Sequence, residues 1–261
     1  MLMAPRAPRR ARFAVLRLQT LLTAVAVAVV AILPTSVAAQ DTSPANALGR
    51  ASAVRLDMSE VVAERTKLAD FRAEAASPEV RELAHWVVHS ADHRNFPFVV
   101  IDKVQARVFA FDATGLLRWA SNALLGAAVG DDSVPGIGQR KLSSIRPHER
   151  TTPAGRFVAY LDRDIHGEEV LWVDYDTSVS LHRIAAGQPK ERRAQRLASP
   201  TPTDNRITYG CVNVAVDFYE SVVSPLFQKT QGIVYVLPET RAANVVFGSY
   251  VVEEQAATHL R

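Results

Sequence analysis

The chain has 261 residues, of which 48% are hydrophobic, 30 are lysine or arginine, 27 are aspartate or glutamate, and one is cysteine. This length and composition support one well-buried domain with an appendage and exclude two full-sized domains. The formal net charge of +3 comes from the N-terminal stretch: without the five arginines before Ala39, 25 basic residues face 27 acidic ones. The positive charge therefore gives no reason to expect nucleic acid as a partner.

The first 39 residues have the pattern of a secretory signal peptide. Five arginines and no acid surround the start of an apolar run from Leu18 to Leu33, and small residues at Val37 and Ala39 suit a cleavage site. The run is shorter than the roughly 20 residues of a comfortable membrane span. We therefore expect cleavage after Ala39, export to the periplasm or cell envelope, and no stable membrane insertion. An uncleaved anchor helix is the alternative, and the lack of a cysteine after the run excludes a lipoprotein anchor.

Two helices are expected after a small, polar linker at 40–58, within a helical segment that spans 59–95. The first helix, from Ser59 to Ala76, is charged and only loosely periodic. The second has Ser77 as its N-cap and Pro78 in its first turn. It carries one apolar face, made of Val80, Leu83, Ala84, Val87 and Val88.

From Phe96 the pattern changes to short β-rich runs separated by turn residues. The expected strands cover 98–101, 107–111, 117–127, 156–161, 169–174, 178–184 and 232–237. Around Ala215 to Val223 the period is helical, and Pro225 is expected to end that helix. This order predicts a single mostly-β (α+β) domain over 96–238 with one late helix, followed by a C-terminal extension at 239–261.

The single cysteine, Cys211, lies in a context that suits a nucleophile. An unpaired thiol in an exported protein is a liability unless it is buried or used, and a buried, inert thiol is the alternative. Gly210 permits a tight turn with close backbone approach just before the thiol. Because a helical period starts a few residues later, we expect Cys211 at a helix N-terminus, where the macrodipole favours thiolate and amides can hold an oxyanion.

A cysteine nucleophile needs a base, and His182 is the best placed of the seven histidines. It ends a strand-like run and precedes a loop, so its imidazole can stand at a sheet edge and face a site. The groups that could orient this imidazole are Asp174, Asp176 and a backbone carbonyl, and the residues alone leave the choice open.

Three blocks of the sequence resemble the L,D-transpeptidase catalytic domain, also called YkuD-like. Residues 151–157 (TTPAGRF) are similar to the family's T-P-x-G-x-F, and residues 179–182 (VSLH) to the strand that carries its histidine. Residues 208–213 (TYGCVN) resemble the signature S/T-x-G-C-I/V-R/N, the most specific block. The resemblance covers about 96–238. It implies a β-sandwich with one helix after the cysteine, no metal or other cofactor, and peptidoglycan stem peptides as substrate.

The resemblance also implies roles for individual residues. Cys211 matches the acylated nucleophile and His182 the general base, oriented by a carbonyl. The oxyanion region and its support match Thr208, Tyr209, Gly210 and Asn213. Weaker candidates for binding substrate are Arg183 and Arg206.

The sequence departs from the family pattern in three places. Tyr209 replaces the usual histidine before Gly210, and Arg183 replaces the glycine that commonly follows the catalytic histidine. The interval between His182 and Cys211 is longer than usual because Gln188–Arg206 is inserted, with five basic residues against two acids. A basic lid over a substrate with free carboxylates is one interpretation of this insertion, and a solvated loop is the other.

A zinc site is the best rival motif. His85, His89 and His93 are spaced four apart, which would place three imidazoles on one helix face. Trp86 follows His85 where a zinc peptidase would need glutamate, and a solvated polar face is the alternative.

We therefore expect an exported cysteine acyl-transferase of the L,D-transpeptidase kind, acting in cell wall biogenesis and cell shape. A thioester on Cys211 would form with loss of a D-residue, and the amine of an acceptor peptide or of a wall-anchored protein would resolve it. Two alternatives stay open. Water as the acceptor would make the enzyme an L,D-carboxypeptidase or amidase, and a buried Cys211 would leave a non-catalytic wall-binding domain.

Overall fold

The computed structural model describes residues 67–252. Within them, helix α1 (Pro78–His89) precedes a nine-stranded sheet. The strands are β1 (Phe98–Asp102), β2 (Arg107–Phe111), β3 (Leu117–Gly126), β4 (Gly155–Arg163), β5 (Glu169–Asp174), β6 (Val179–Arg183), β7 (Arg206–Thr208), β8 (Val212–Val214) and β9 (Gly232–Val236). The shorter helices are α2 (Arg193–Leu197), α3 (Val216–Phe218), a π-helical turn (Tyr219–Val223), α4 (Ser224–Phe227) and α5 (Ala243–Phe247).

The sheet closes on itself. Its strand order is β2-β1-β9-β4-β5-β6-β8-β3-β7, and β2 also pairs with β3, so that β7 is a branch on an otherwise continuous circuit. Three neighbouring pairs are parallel: β1–β9, β6–β8 and β3–β7. The other pairs are antiparallel. This architecture confirms the predicted mostly-β (α+β) fold.

Strand β1 shows how the core is divided. Successive side chains of a strand point to opposite faces, and here both faces are covered. Val99 and Ile101 belong to the core inside the closed sheet. Phe98 and Val100 belong to a second core between the sheet and α1. A run that is apolar at every position therefore forms a strand that is buried on both faces.

Helix α1 follows the sequence signals that predicted it. The Ser77 hydroxyl accepts a hydrogen bond from the Val80 amide at 3.4 Å, and Pro78 lies in the first turn. The predicted apolar face is buried against the sheet. Truncating a fully buried residue of this face such as Leu83 to alanine should cost about 2–5 kcal/mol of unfolding free energy.

The predicted helix from Ser59 to Ala76 is wrong over the residues that the structure describes, because 67–76 contains no helix. Asp70 instead forms a β-bridge with Leu116. The Asp70 carboxylate also accepts the Arg72 amide at 2.7 Å. Such a bond offers the backbone a turn in place of a helix, so local side-chain bonding and strand pairing override the weak helical pattern.

The helix predicted after the cysteine is present, but it does not end before Pro225. It begins at Val216, passes through the π-helical turn and continues to Phe227. Apolar packing favours this continuation, because Phe218, Tyr219, Val223 and Phe227 are buried in the inner core. The sequence also missed two short strands, β7 and β8.

The predicted signal peptide (1–39) and linker (40–58) lie outside the described residues. Between residues 67 and 252, no helix is long and apolar enough to cross a bilayer. The boundaries proposed for the catalytic domain (96–238) and the C-terminal extension (239–261) stay predictions.

Candidate active site

Strand pairing brings His182 and Cys211 together. Strands β6 and β8 are parallel, with Leu181 opposite Val212 and His182 opposite Asn213. Cys211 directly precedes β8, so in this register it lies beside Ser180, near the start of β6 and two residues before His182. After β6 the chain leaves the sheet as the 188–206 insertion and re-enters it at β7, just before β8. The long interval in sequence therefore does not separate His182 from Cys211 in space.

The turn before the thiol requires glycine. Gly210 has φ +132°, and a Cβ at this position would lie 2.8 Å from the Thr151 carbonyl oxygen. The Thr208 hydroxyl accepts the Gly210 amide at 3.2 Å and donates to the Cys211 carbonyl at 2.6 Å. The Thr152 hydroxyl donates to the Gly210 carbonyl at 2.8 Å. Two threonine hydroxyls therefore hold the backbone on both sides of the thiol.

The expectation that Cys211 begins a helix is wrong. Strand β8 follows the thiol, and the helical segment starts only at Val216. The apolar pattern V-N-V is too short to distinguish from the start of the helical period that follows it. The macrodipole effect is confined to the first turn of a helix, so it does not explain an activated thiol here.

The Cys211 thiol and the His182 imidazole each shift the pKa of the other. Burial alone would raise the pKa of Cys211, but the neighbouring His182 outweighs burial and lowers it. Burial alone would lower the pKa of His182, but the neighbouring Cys211, together with the Arg183 carbonyl, raises it. Opposite shifts of this kind are expected of a pair that shares a proton.

Both ring nitrogens of His182 have partners. Nδ1 lies 2.8 Å from the Arg183 carbonyl oxygen, and Nε2 lies 2.9 Å from Asn213 Nδ2. A carbonyl is therefore the group that orients the imidazole. The Asp174 carboxylate holds a turn instead, in which it accepts the backbone amide of the other candidate, Asp176, at 3.1 Å.

The thiol has two further polar neighbours that sequence reasoning missed. Sγ lies 3.6 Å from the Ser178 carbonyl oxygen and 3.7 Å from the Ser180 hydroxyl. Ser180 is opposite Trp172, which is opposite Tyr160, so these side chains share one face of the sheet. Within the described residues, the buried indole Nε1 of Trp172 has no hydrogen-bond partner. The alternation of side chains along a strand places Tyr160, Trp172 and Ser180 together only when the pairing of β4, β5 and β6 is known.

The Tyr209 side chain leaves the turn and packs on Arg150, whose guanidinium carbon lies 3.9 Å from the ring centroid. This distance is typical of a cation–π contact. The ring of Tyr209 is thus a wall beside the turn, and its backbone is the part that lies next to Gly210.

The two arginines suggested for substrate binding are engaged elsewhere. The Arg183 guanidinium forms an ion pair with Glu220 and donates to the Glu169 carbonyl at 2.8 Å. Arg206 forms an ion pair with Glu239. Each guanidinium is already neutralised within the protein, and the structure brings neither side chain to the thiol.

The 188–206 insertion has less free charge than its sequence suggests. Arg193 donates to Asn213, Arg196 donates to the Asp204 carbonyl at 2.8 Å, and Arg206 pairs with Glu239. Lys190 and Arg192 are its exposed basic residues. A basic lid would depend on these two side chains alone.

A buried lysine contacts Thr152, whose hydroxyl holds the turn at Gly210. Lys103 is fully buried, and its Nζ donates to the carbonyls of Gly130 at 2.5 Å and Thr152 at 3.1 Å and to Asp131 at 2.8 Å. Burial would raise the pKa of Asp131, but the bonds from Lys103 and Thr240 hold it well below its usual range. No sequence signal predicts this residue, because lysine is rarely fully buried.

His85, His89 and His93 do not form the row that a zinc site would need, and the solvated polar face is also wrong for His85 and His93, which are buried. Helix α1 ends at His89, so His93 lies in the turn beyond it. The ring nitrogens of His93 lie 3.1 Å from the carbonyl oxygens of Val87 and Ala113. Within 67–252, no group of three or more histidine, cysteine or acidic residues could hold a metal ion.

Comparison with known proteins gives a weak likeness. No family model and no curated protein matches the chain. Among solved structures, an L,D-transpeptidase from Xylanimonas cellulosilytica (residues 123–326) has 15% identity and a TM-score of 0.35, over 54% of this chain and 60% of that one. The catalytic domain of the Enterococcus faecium L,D-transpeptidase has 14% identity and a TM-score of 0.31, over 55% of this chain and 98% of that one. Both are L,D-transpeptidases. At these identities and TM-scores the likeness does not establish the function of this chain.

Proposed function

We propose that the protein is an exported cysteine acyl-transferase of the L,D-transpeptidase kind, acting on peptidoglycan stem peptides. The single observation that carries the proposal is the placement of Cys211 directly before β8 and of His182 on the parallel strand β6 that pairs with it, with the imidazole oriented by the Arg183 carbonyl. A nucleophile, a base and a group that orients the base are the parts that covalent acyl transfer requires.

In the first step, His182 takes the Cys211 proton and the thiolate attacks the carbonyl of a diamino acid that precedes a D-residue. The Gly210 amide already donates to Thr208, so the amides of Tyr209 and Cys211 are the candidates for the oxyanion. The carbon–nitrogen bond then breaks, the proton on His182 passes to the leaving amine, and a thioester remains on Cys211.

In the second step, an acceptor amine attacks the thioester carbonyl. His182 removes a proton from this amine and returns it to the sulfur as the carbon–sulfur bond breaks. The products are a new amide and the free thiol. The acceptor is an amine of a second stem peptide or of a wall-anchored protein.

The face that carries Tyr160, Trp172 and Ser180 suits the donor peptide. It adjoins the thiol, and the Trp172 indole N–H is a donor without a partner among the described residues. Because this nitrogen is buried, a ligand carbonyl could use it only after the indole turns toward the surface.

Hydrolysis is the second candidate, since water can replace the amine at the thioester with no change of residues. A non-catalytic wall-binding domain is less consistent with the structure, because Cys211 is half-buried rather than enclosed and its pKa is lowered by His182. An inert core thiol has a raised pKa.

Product analysis tests the proposal. The purified protein is incubated with tetrapeptide muropeptides, with and without an amine acceptor, and the products are weighed by mass spectrometry. Cross-linked products support transpeptidation, and tripeptides alone support hydrolysis. Unchanged muropeptides would contradict both. Export is tested separately: protein recovered from cell envelopes should begin at Gln40.

A further inference from the structure

The 188–206 insertion reaches the base through one side chain. Arg193 Nη1 donates to Asn213 Oδ1 at 2.9 Å, and Asn213 Nδ2 lies 2.9 Å from His182 Nε2. Arg193 thereby connects a segment at the surface to the imidazole. Asn213 itself is buried in strand β8, so the contact is made inside the site.

The insertion is shaped to hold Arg193 in this position. Its Nε donates to Glu191 Oε2 at 2.7 Å, and only 14% of its side chain is exposed. Gly187 has φ +62°, and a Cβ there would lie 2.5 Å from Glu191 Oε2 and 2.6 Å from Arg193 Nε. The turn therefore needs glycine to make room for the ion pair, and the next turn needs the left-handed backbone of Arg192.

The arginine determines which way the asparagine amide faces. A guanidinium has only donors, so the oxygen of the Asn213 amide must face Arg193. The amide nitrogen then faces His182, and because an NH₂ group can only donate, Nε2 must present its lone pair. The ring proton is left on Nδ1, where it is donated to the Arg183 carbonyl.

We propose that Arg193 is a positioning residue, which holds the Asn213 amide in one orientation and so keeps Nε2 of His182 unprotonated to receive the Cys211 proton. The proposal rests on the proposed role of the Cys211–His182 pair as nucleophile and base. The amide N–H occupies the lone pair at rest, and the thiol proton replaces it there when the thiol reacts. The insertion thus acts on the base, His182, and does not act by binding carboxylates of the substrate.

Loss of the guanidinium lets the amide rotate and present its oxygen to Nε2. An acceptor in this position stabilises a proton on Nε2, so the imidazole is held in a form that cannot accept the thiol proton. The chain offers a matched control in Arg192, the exposed residue directly before Arg193.

Nitrogen-15 NMR of the His182 ring tests the proposal without substrate, in the full chain carrying Cys211→Ala to remove coupling to the thiol. Arg193→Met should populate the Nε2–H form and raise the midpoint of the His182 titration, whereas Arg193→Lys and Arg192→Met should match the parent. With Cys211 present, Arg193→Met should slow acylation about tenfold, the equivalent of one pKa unit, with little change in KM.

A second background separates the amide from the charge of the arginine. Repeating Arg193→Met in Asn213→Ala should give no further change in the ring signals, while a through-space effect of charge would persist. Equal changes in both backgrounds would overturn the proposal, as would unchanged ring signals in a variant with a native melting curve. A raised KM with unaltered ring signals would show carboxylate binding instead. Because the NMR measurement needs no turnover, a failure of the Arg193 proposal can be told apart from a failure of the proposed transpeptidation.

Discussion

The two segments that reach the Cys211–His182 pair are built in different ways. On one side, the turn that ends at Gly210 is held by the buried hydroxyls of Thr152 and Thr208. On the other side, the 188–206 insertion is largely exposed and reaches the pair through Arg193 alone. The comparison suggests that the core determines where the thiol lies, whereas a surface segment adjusts the protonation of its base.

The largest effect is expected at the base itself, which both segments serve. His182→Ala should lower acyl transfer by at least about 10³-fold, because nucleophile and base act as a unit. His89→Ala, on the exposed end of α1, is the control and should retain activity. Steady-state turnover of muropeptides measures both variants, and equal losses would contradict the assignment of the base.

The same pair predicts a bell-shaped pH profile. Activity should rise as the pair loses its first proton and fall as it loses the second, since transfer needs one shared proton. The lowered pKa of Cys211 and the raised pKa of His182 place the two limbs further apart than unperturbed groups would. The profile of kcat/KM measures this, and a single limb would count against a shared proton.

The turn that ends at Gly210 should be sensitive to one added methyl group. Gly210→Ala places a Cβ 2.8 Å from the Thr151 carbonyl oxygen at φ +132°, so the turn must shift and the thiol with it. A displacement near 1 Å can reduce the rate about 100-fold. Gly167→Ala is the matched control, with φ +83° but no neighbouring atom within 4 Å. Comparable acylation rates in the two variants would contradict a turn fixed by the core.

The buried lysine should affect stability more than chemistry. Lys103→Met removes the buried cation beside Asp131, leaving the partly exposed Arg241 as its ion-pair partner, and should cost about 3–5 kcal/mol of unfolding free energy. Because the pKa of Asp131 is lowered in the fold, its contribution is present above the unfolded pKa of a carboxyl group and is lost as pH falls. Urea unfolding at neutral and acidic pH measures both effects. Lys190→Met, at an exposed position, should leave stability unchanged.

The smallest effect is expected from the free charges of the insertion. Changing Lys190 and Arg192 together to methionine should alter KM by no more than about twofold, since exposed charges contribute little and are screened. KM is compared at low and high salt. A several-fold rise at low salt alone would restore the basic-lid interpretation and weaken the contrast between the two segments.

The features that the sequence predicts are those with local signals. Capping and one apolar face predicted α1, and apolar runs predicted seven of the nine strands. The Gly-Cys dipeptide indicated the tight turn beside the thiol, which Gly210 forms. What the sequence did not predict depends on long-range placement: the Lys103 cluster, the contact from Arg193 to Asn213, and strand β8 between the thiol and the helix.

The central claim is that Cys211 carries the acyl group, and the mass of the intact protein tests it most directly. After brief incubation with a tetrapeptide donor and an acid quench, the protein should gain the mass of the donor without its terminal D-residue, localised to Cys211 by digestion. Cys211→Ala should show neither adduct nor turnover and should keep a cooperative melt. Turnover by Cys211→Ala, or products formed with the adduct on another residue, would contradict the account.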